Sequence, residues 1–468
     1  MNRREFIRST AAGALAAAYS HRVAANSSPN NRIQLGAIGL GGMGRGDLSD
    51  FLAHDDVEVA ALCDVDRAHL EQASAMVKEK RNRQPDLHHD FRELLSREDI
   101  DAVLIATPDH WHGPITILAC QNGKDVYVEK PLTHNVREGR LAVEAALANG
   151  RITQLGTQVH ATPNYHKAVE VVQSGALGAI TQVRVWNSSN SAPAGIGKPA
   201  DGPAPEGLDY DAWLGPAPTR PYNPNRSHFS WRYFWDYGGG KLSDFGCHII
   251  DPVIWAINPG APLAVSSHGG RYLIDDNAET PDTQNVVWEF APPPGQSNPF
   301  LLIWSHTEAN SHGLEGRGQG IKFCGSEGTL IMDYGSFQHY DRGGTLVQEH
   351  KGEEGALGAA GVAHKREFLD GIRARKRTSC DIEYAHRVTT LPLIGNIANR
   401  VGERLAWDAE RERFVGSLRA NRLLGREYRD KWSLAALGVK ELMGKESSST
   451  PHPGHQRRRY SSWGFGGR

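Results

Sequence analysis

RIQLGAIGLGGMGRGDL, residues 32–48, runs a short apolar strand into a glycine cluster and then into the start of a helix. Three of its glycines have separate physical tasks. Gly39 permits a tight turn, Gly41 lets the backbone approach a pyrophosphate, and Gly44 lets the helix lie against the strand. The helix N-terminus then faces the phosphates. The next strand, Val57–Cys63, ends at Asp64, about 20 to 25 residues beyond the glycines, where a carboxylate accepts both ribose hydroxyls and repels a 2′-phosphate. NAD is therefore the expected cofactor, and Arg67 close by keeps NADP possible.

Outward from this stretch the pattern alternates: a helix from Asp66 to Lys80, a strand from Asp101 to Ala106, a helix after His112, a strand from Asp125 to Val128, a helix from Val136 to Ala148 and a strand from Ile152 to Gly156. Such alternation predicts a Rossmann-type, doubly wound α/β domain over 32–157, with ligands at the carboxyl ends of its strands. Two segments fall at such ends, TPDHWH at 107–112 and EKP at 129–131. His110 and His112 make an H-x-H pair with no Cys or carboxylate cluster at ligand spacing, so no metal site is expected. Trp111 and His112 suit a pocket wall and a plug under the sheet edge equally.

Residues 158–442 read as a second α/β domain with a large, predominantly antiparallel sheet. A helix is expected at Tyr165–Gln173, a strand at Thr181–Trp186, and then a long Gly- and Pro-rich loop to about Pro224. Strands follow at Val286–Phe290, Leu301–His306, Ile321–Gly325 and Thr329–Asp333, a flexible loop at 311–320, and closing helices at Ala363–Arg373 and Glu383–Arg404. Trp213, Tyr222 and the aromatic run from Phe229 serve as a sugar-stacking surface or as filler beneath a lid. In GGGKLSDFGCHIID, residues 238–251, Asp244 and His248 are four apart and share one helix face. Asp251, three further on, either fixes the His248 tautomer or caps a neighbouring element.

GLGGMG, CDVD, TPDHWH and EKP together resemble the family named after glucose-fructose oxidoreductase, inositol dehydrogenase and the rhizopine catabolism protein MocA, over about Arg32 to Trp407. The resemblance implies cofactor contacts from Gly39, Gly41, Gly42, Met43, Gly44, Asp64, Thr107, Pro108, His112, Glu129 and Lys130. It puts Lys130 at the substrate beside the nicotinamide, aimed by a cis bond before Pro131. The shared D-x-x-x-H spacing makes His248 the base for a hydroxyl proton and Asp244 a substrate ligand or orienter, and Arg232 completes the substrate set. Desolvation near a cationic ring is expected to lower the Lys130 pKa, and histidine's ordinary pKa suits a base. Glucose-fructose oxidoreductase itself tends to carry tyrosine where His248 stands.

The implied function is hydride transfer between a sugar or polyol carbinol and tightly bound NAD. Two other readings are an NAD-dependent glycoside hydrolase that oxidises, eliminates, hydrates and reduces, and a non-catalytic sugar-binding protein with structural NAD. In relatives the large sheet often pairs subunits, so a homo-oligomer is expected.

The bulk numbers agree. With 468 residues, 39% of them apolar, the chain can bury two cores. A net charge of −2 gives no field for nucleic acid or anionic lipid, and Arg457-Arg458-Arg459 reads as part of a disordered tail over 443–468. The five cysteines, odd in number and scattered, read as buried thiols. NRREFIR, residues 2–8, with the Ala-rich stretch after it, has the layout of a twin-arginine signal over 1–25, followed by a linker over 26–31. Export to the periplasm is the corresponding expectation. No other apolar stretch reaches about 18 residues, so the mature protein is expected to be soluble.

Overall fold

The computed structural model describes residues 32–440. The signal, the linker and the tail from 443 lie outside the described residues. Among the described residues no helix is long and apolar enough to cross a membrane.

The first sheet has six parallel strands: β1 (Ile33–Ile38), β2 (Val57–Cys63), β3 (Asp86–His88), β4 (Ala102–Ile105), β5 (Asp125–Glu129) and β6 (Thr153–Gly156). Their order is β3-β2-β1-β4-β5-β6. Strand order reverses between β1 and β4, which opens a crevice at their carboxyl ends. β2, β4 and β5 are buried at every residue, as strands covered on both faces must be. The covering helices are α1 (Gly42–Phe51), α2 (Arg67–Arg81), α3 (Phe91–Ser96), α4 (Asp109–Gln121) and α5 (Val136–Ala148). α2 begins where Asp66 accepts from the Ala68 and His69 amides at 2.7 and 3.3 Å, and Lys78, Lys80 and Arg81 sit in its last turn against the dipole. β3 and α3 lie outside the sequence expectation because three and six residues carry too little periodicity to read.

After α6 (Pro163–Gln173) come β7 (Ile180–Ser188), α7 (Tyr210–Leu214) and α8 (Gly240–Ile257). Seven strands then follow one another: β8 (Pro262–Gly270), β9 (Thr283–Phe290), β10 (Phe300–Thr307), β11 (Gln319–Gly325), β12 (Gly328–Met332), β13 (Ser336–Asp341) and β14 (Leu346–Lys351). α9 (Ala356–Ala374), α10 (Ile382–Val401), β15 (Leu405–Asp408), β16 (Arg413–Phe414) and α11 (Leu418–Arg422) complete the chain. The second sheet runs β14-β13-β12-β11-β7-β10-β9-β8-β15-β16, antiparallel except where β7 pairs with β10. Its inner face packs on α8 and α10 around Trp288, Trp304 and Leu242, all fully buried.

Three expectations need correction. The loop expected at 311–320 ends early, because Gln319 and Gly320 already pair with Asn187 and Trp186 of β7. The long loop to Pro224 contains α7, capped by the Asp209 side chain. Cys324 is only half-buried, whereas the other four cysteines are buried.

α9 does not merely close the fold. It returns to the first sheet, where the fully buried Lys365 donates to Asp47 Oδ1 at 2.5 Å and Asp50 Oδ2 at 3.1 Å, both on α1. Its Phe368 and Leu369 join the core around Phe51 and Tyr127.

Candidate active site

A cleft of about 760 Å³ lies over the carboxyl ends of β1, β2, β4 and β5. At one end Gly39, Gly41, Gly42 and Met43 line it. Gly39 has φ +85°, and a side chain there would press on the Thr107 amide, while one at Gly44 would collide with the Gly39 carbonyl. At Gly42 a Cβ meets nothing within 4 Å. Gly44 therefore works from beneath the loop, holding α1 against it, and is not itself part of the lining. Asp64 stands at the end of β2, with its carboxylate accepting from the Leu40 amide at 2.6 Å and the Asp66 amide at 2.8 Å. These two bonds tie the carboxylate to the glycine loop on one side and to the start of the following turn on the other.

The TPDHWH and EKP segments meet through His112. Its ring nitrogens lie 2.7 Å from both Pro131 O and Thr107 O, so the buried imidazole ties the ends of β4 and β5 together. Burial holds its pKa down at about 4. Trp111 lies beneath the cleft, edge-on to Phe91 and Trp432, and its indole donates to Ala212 O at 3.1 Å. Both act as wall and plug together. His110 bonds Trp213 O at 2.8 Å. Thr107 Oγ1 is buried with no partner among the described residues. Pro108 and Glu129 line the cleft too, and burial, with Asp47 adding to it, pushes the Glu129 carboxyl up to about 8.

Lys130 follows Glu129, and its bond to Pro131 is cis. Its Nζ donates to Asp244 Oδ1 at 2.5 Å, and Arg232 Nε donates to the same oxygen at 3.3 Å. Arg232 is aimed by Phe229 O at 2.8 Å and by the Trp231 ring, 4.4 Å from its guanidinium carbon. Burial works to raise the Asp244 carboxyl, but Lys130 and Arg232 hold it well below the usual carboxylate range. The expected lowering of the Lys130 pKa is overturned. Burial does pull it down, but Asp244 and Glu129 outweigh burial, and the ammonium is held above its ordinary value. His248 lies one turn beyond Asp244 on α8, lines the cleft, and leaves Nδ1 buried without a partner among the described residues. Burial and then Lys130 push its pKa down to about 3, so it is neutral at working pH, far below the value expected of it. Asp251 does not touch His248: it faces His160 Nδ1 at 3.0 Å and accepts from Tyr384 Oη at 2.5 Å.

The sequence reading missed Asp109. It sits in the first turn of α4, lines the cleft, and is 4% exposed. Burial drives its carboxyl up to about 8 against the opposing charge of Lys130. Its place two residues after Thr107, at a strand end, was the available signal. Of the aromatic segment, Trp213, Phe234 and Tyr237 form a small core with Leu208, so most of it is filler; Trp231 and the exposed Phe229 also reach the cleft.

The glycine cradle, the carboxylate at the end of β2 and the orphaned Thr107 hydroxyl all fit a dinucleotide, which Gly41, Gly42, Met43, Asp64 and Thr107 would hold. Fold and site together define an NAD-binding oxidoreductase of two α/β units. Residues 33–157 match the family model described as "Oxidoreductase family, NAD-binding Rossmann fold", and residues 164–269 and 360–434 match "Oxidoreductase family, C-terminal alpha/beta domain". The chain belongs to the GFO/IDH/MocA oxidoreductase family.

The glycosyl hydrolase family 109 protein of Shewanella woodyi is 31% identical over 152 residues, 32% of this chain. That match spans 32% of the relative's own length. Among solved structures, an oxidoreductase domain protein from Kribbella flavida superposes with a TM-score of 0.61 at 20% identity, over 80% of this chain and 98% of that one. A levoglucosan dehydrogenase in complex with NADH and levoglucosan gives 0.60 at 18%, over 82% and 99%. At these identities the two structures show a shared fold.

Proposed function

We propose that the chain oxidises or reduces a carbinol of a sugar or polyol at the Lys130, Asp244 and His248 end of the cleft. The observation that carries this reading is the Lys130–Asp244 contact at 2.5 Å, with His248 one helical turn away in the same cleft as the glycine loop. When bound, NAD supplies the two-electron partner of the substrate carbon. Asp244, fixed as a carboxylate, holds Lys130 Nζ in place and keeps it charged. From there the ammonium donates a hydrogen bond to the reacting oxygen. His248, neutral and lining the cleft, accepts the hydroxyl proton on its cleft-facing side as the carbonyl forms. Arg232 orients a neighbouring substrate oxygen, and Trp231 and Phe229 offer apolar surface to a sugar ring. The levoglucosan dehydrogenase among the structural neighbours supports a carbohydrate substrate.

A second reading is favoured by the 31% match to proteins called glycosyl hydrolase family 109. The same opening oxidation would then be followed by elimination, hydration and reduction, with NAD restored. The Arg3-Arg4 pair supports export of the enzyme with its cofactor already loaded.

The test is mass-spectrometric product analysis of a panel of sugars and aryl glycosides incubated with the NAD-loaded protein. An oxidised sugar supports the first reading and a hydrolysed glycoside the second. No product from any member of a broad panel contradicts both and leaves a non-catalytic sugar-binding protein.

A further inference from the structure

A second cavity, of about 690 Å³, shares no lining residue with the cofactor cleft. Its wall includes residues 134–137, which follow the EKP segment, and Gly238 and Gly239, which lead into α8. Leu393, Ile397 and Leu423 make one side apolar. Arg137, Arg400, Arg422 and Arg426 converge on the rest.

Among the described residues none of these four guanidinium groups is in an ion pair. Arg400 lies over the Trp235 ring at 5.2 Å; Arg426 lies 6.0 Å from the Tyr428 ring and donates to the carbonyls of His110 and Asp236, at 3.5 and 3.2 Å, and Arg137 donates to that of Asn421, at 3.4 Å. Two carboxylates line the cavity, Asp236 and Glu427, and Asp236 is already paired with Arg220 at 2.7 Å. The chain as a whole is close to neutral, with 52 basic and 54 acidic residues, so four arginines here make a local concentration of positive charge, opposed across space, without an ion pair among the described residues, by Asp236, Glu279 and the buried Glu138. His134 registers it: burial and then Arg426 hold its pKa down at about 3, with Arg400 acting in the same direction. Asn135, 5% exposed, also lines the cavity, and its buried Nδ2 has no partner among the described residues.

We propose that this cavity binds an organic oxyanion, with its phosphate, sulfate or carboxylate group among the arginines and an apolar body against Leu393, Ile397 and Leu423. Guanidinium forks match such oxyanions in charge and geometry. An occupant touches the segments that lead from Lys130 and into Asp244, so it sits where it can be felt at the catalytic pair.

Isothermal titration of the full chain, saturated with NAD so that the cofactor's own phosphate seats are filled, uses phenyl phosphate as probe and phenol as the uncharged control. One saturable site with a dissociation constant of millimolar or tighter is expected, with no binding of phenol. Arg400 and Arg422 are both exposed, so an Arg400→Gln/Arg422→Gln double variant keeps its fold, checked by circular dichroism, and weakens the affinity by about tenfold or more. Absence of saturable heat, equal affinity in the double variant, or equal binding of phenol overturns the proposal.

Discussion

Lys130 and Asp244 stand 114 positions apart in sequence, one at the end of a strand in the first sheet and the other in the first turns of α8, yet their charged atoms meet at 2.5 Å. Each explains the other's ionisation. The carboxylate keeps the lysine cationic despite burial, the lysine keeps Asp244 charged, and burial reinforced by the lysine keeps His248 neutral. Asp244→Asn is accordingly expected to lower the Lys130 pKa and to cut turnover by about two orders of magnitude, the scale of a lost charge-assisted contact in an acid–base site. The pH profile of turnover checks it: a descending alkaline limb that moves to lower pH in the variant agrees, and an unmoved limb does not.

Gly44→Ala puts a methyl group into the Gly39 carbonyl, so α1 must move away from the loop it supports. Nucleotide binding is expected to fall by about tenfold or more, while Gly46→Ala, where a Cβ meets nothing within 4 Å, leaves it unchanged. Titration of NAD by intrinsic fluorescence separates the two, and equal affinities count against the assigned cradle.

Lys365→Met leaves Asp47 buried without its cation. A loss of about 3–5 kcal/mol in unfolding free energy is expected, the usual cost of breaking a buried pair. Adding Asp47→Asn is expected to recover most of it, since the fully buried carboxylate is then gone too and the partly exposed Asp50 is left to solvent. Denaturant unfolding of the three variants measures this, and a double variant as unstable as the single one contradicts it.

Asp109 gives a pH prediction. Its carboxyl titrates near 3.8 when unfolded and at about 8 when folded. A raised carboxyl contributes stability that is fully present below about pH 4 and is lost as pH rises towards 8, at about 1.4 kcal/mol per pH unit. Asp109→Asn removes that loss, so its stability relative to the parent is expected to climb between pH 5 and about 8 and then level off. Parallel stability curves for the two proteins contradict the assignment.

What the sequence made legible follows from how local each signal is. The glycine loop, Asp64 and EKP are read from neighbours within one βα unit, and the structure places them along one cleft. The D-x-x-x-H face of α8 is equally local. Pairings at long separation are not legible: Lys365 meets Asp47 across 318 positions, and nothing near Lys365 in sequence marks it as buried. The same holds for ionisation. Lys130 reads as a lysine to be desolvated until Asp244 arrives, and Asp251 reads as a partner for His248 until the helix turns it towards His160.

The account rests on Lys130 and His248 acting on a carbohydrate carbinol. Its most direct test is turnover by Lys130→Ala and His248→Ala on whichever panel member the parent converts, with bound NAD per chain measured in the same samples. NAD occupancy close to the parent's, with turnover reduced by about two orders of magnitude or more in each variant, is the predicted result. Parental turnover in both variants would contradict it.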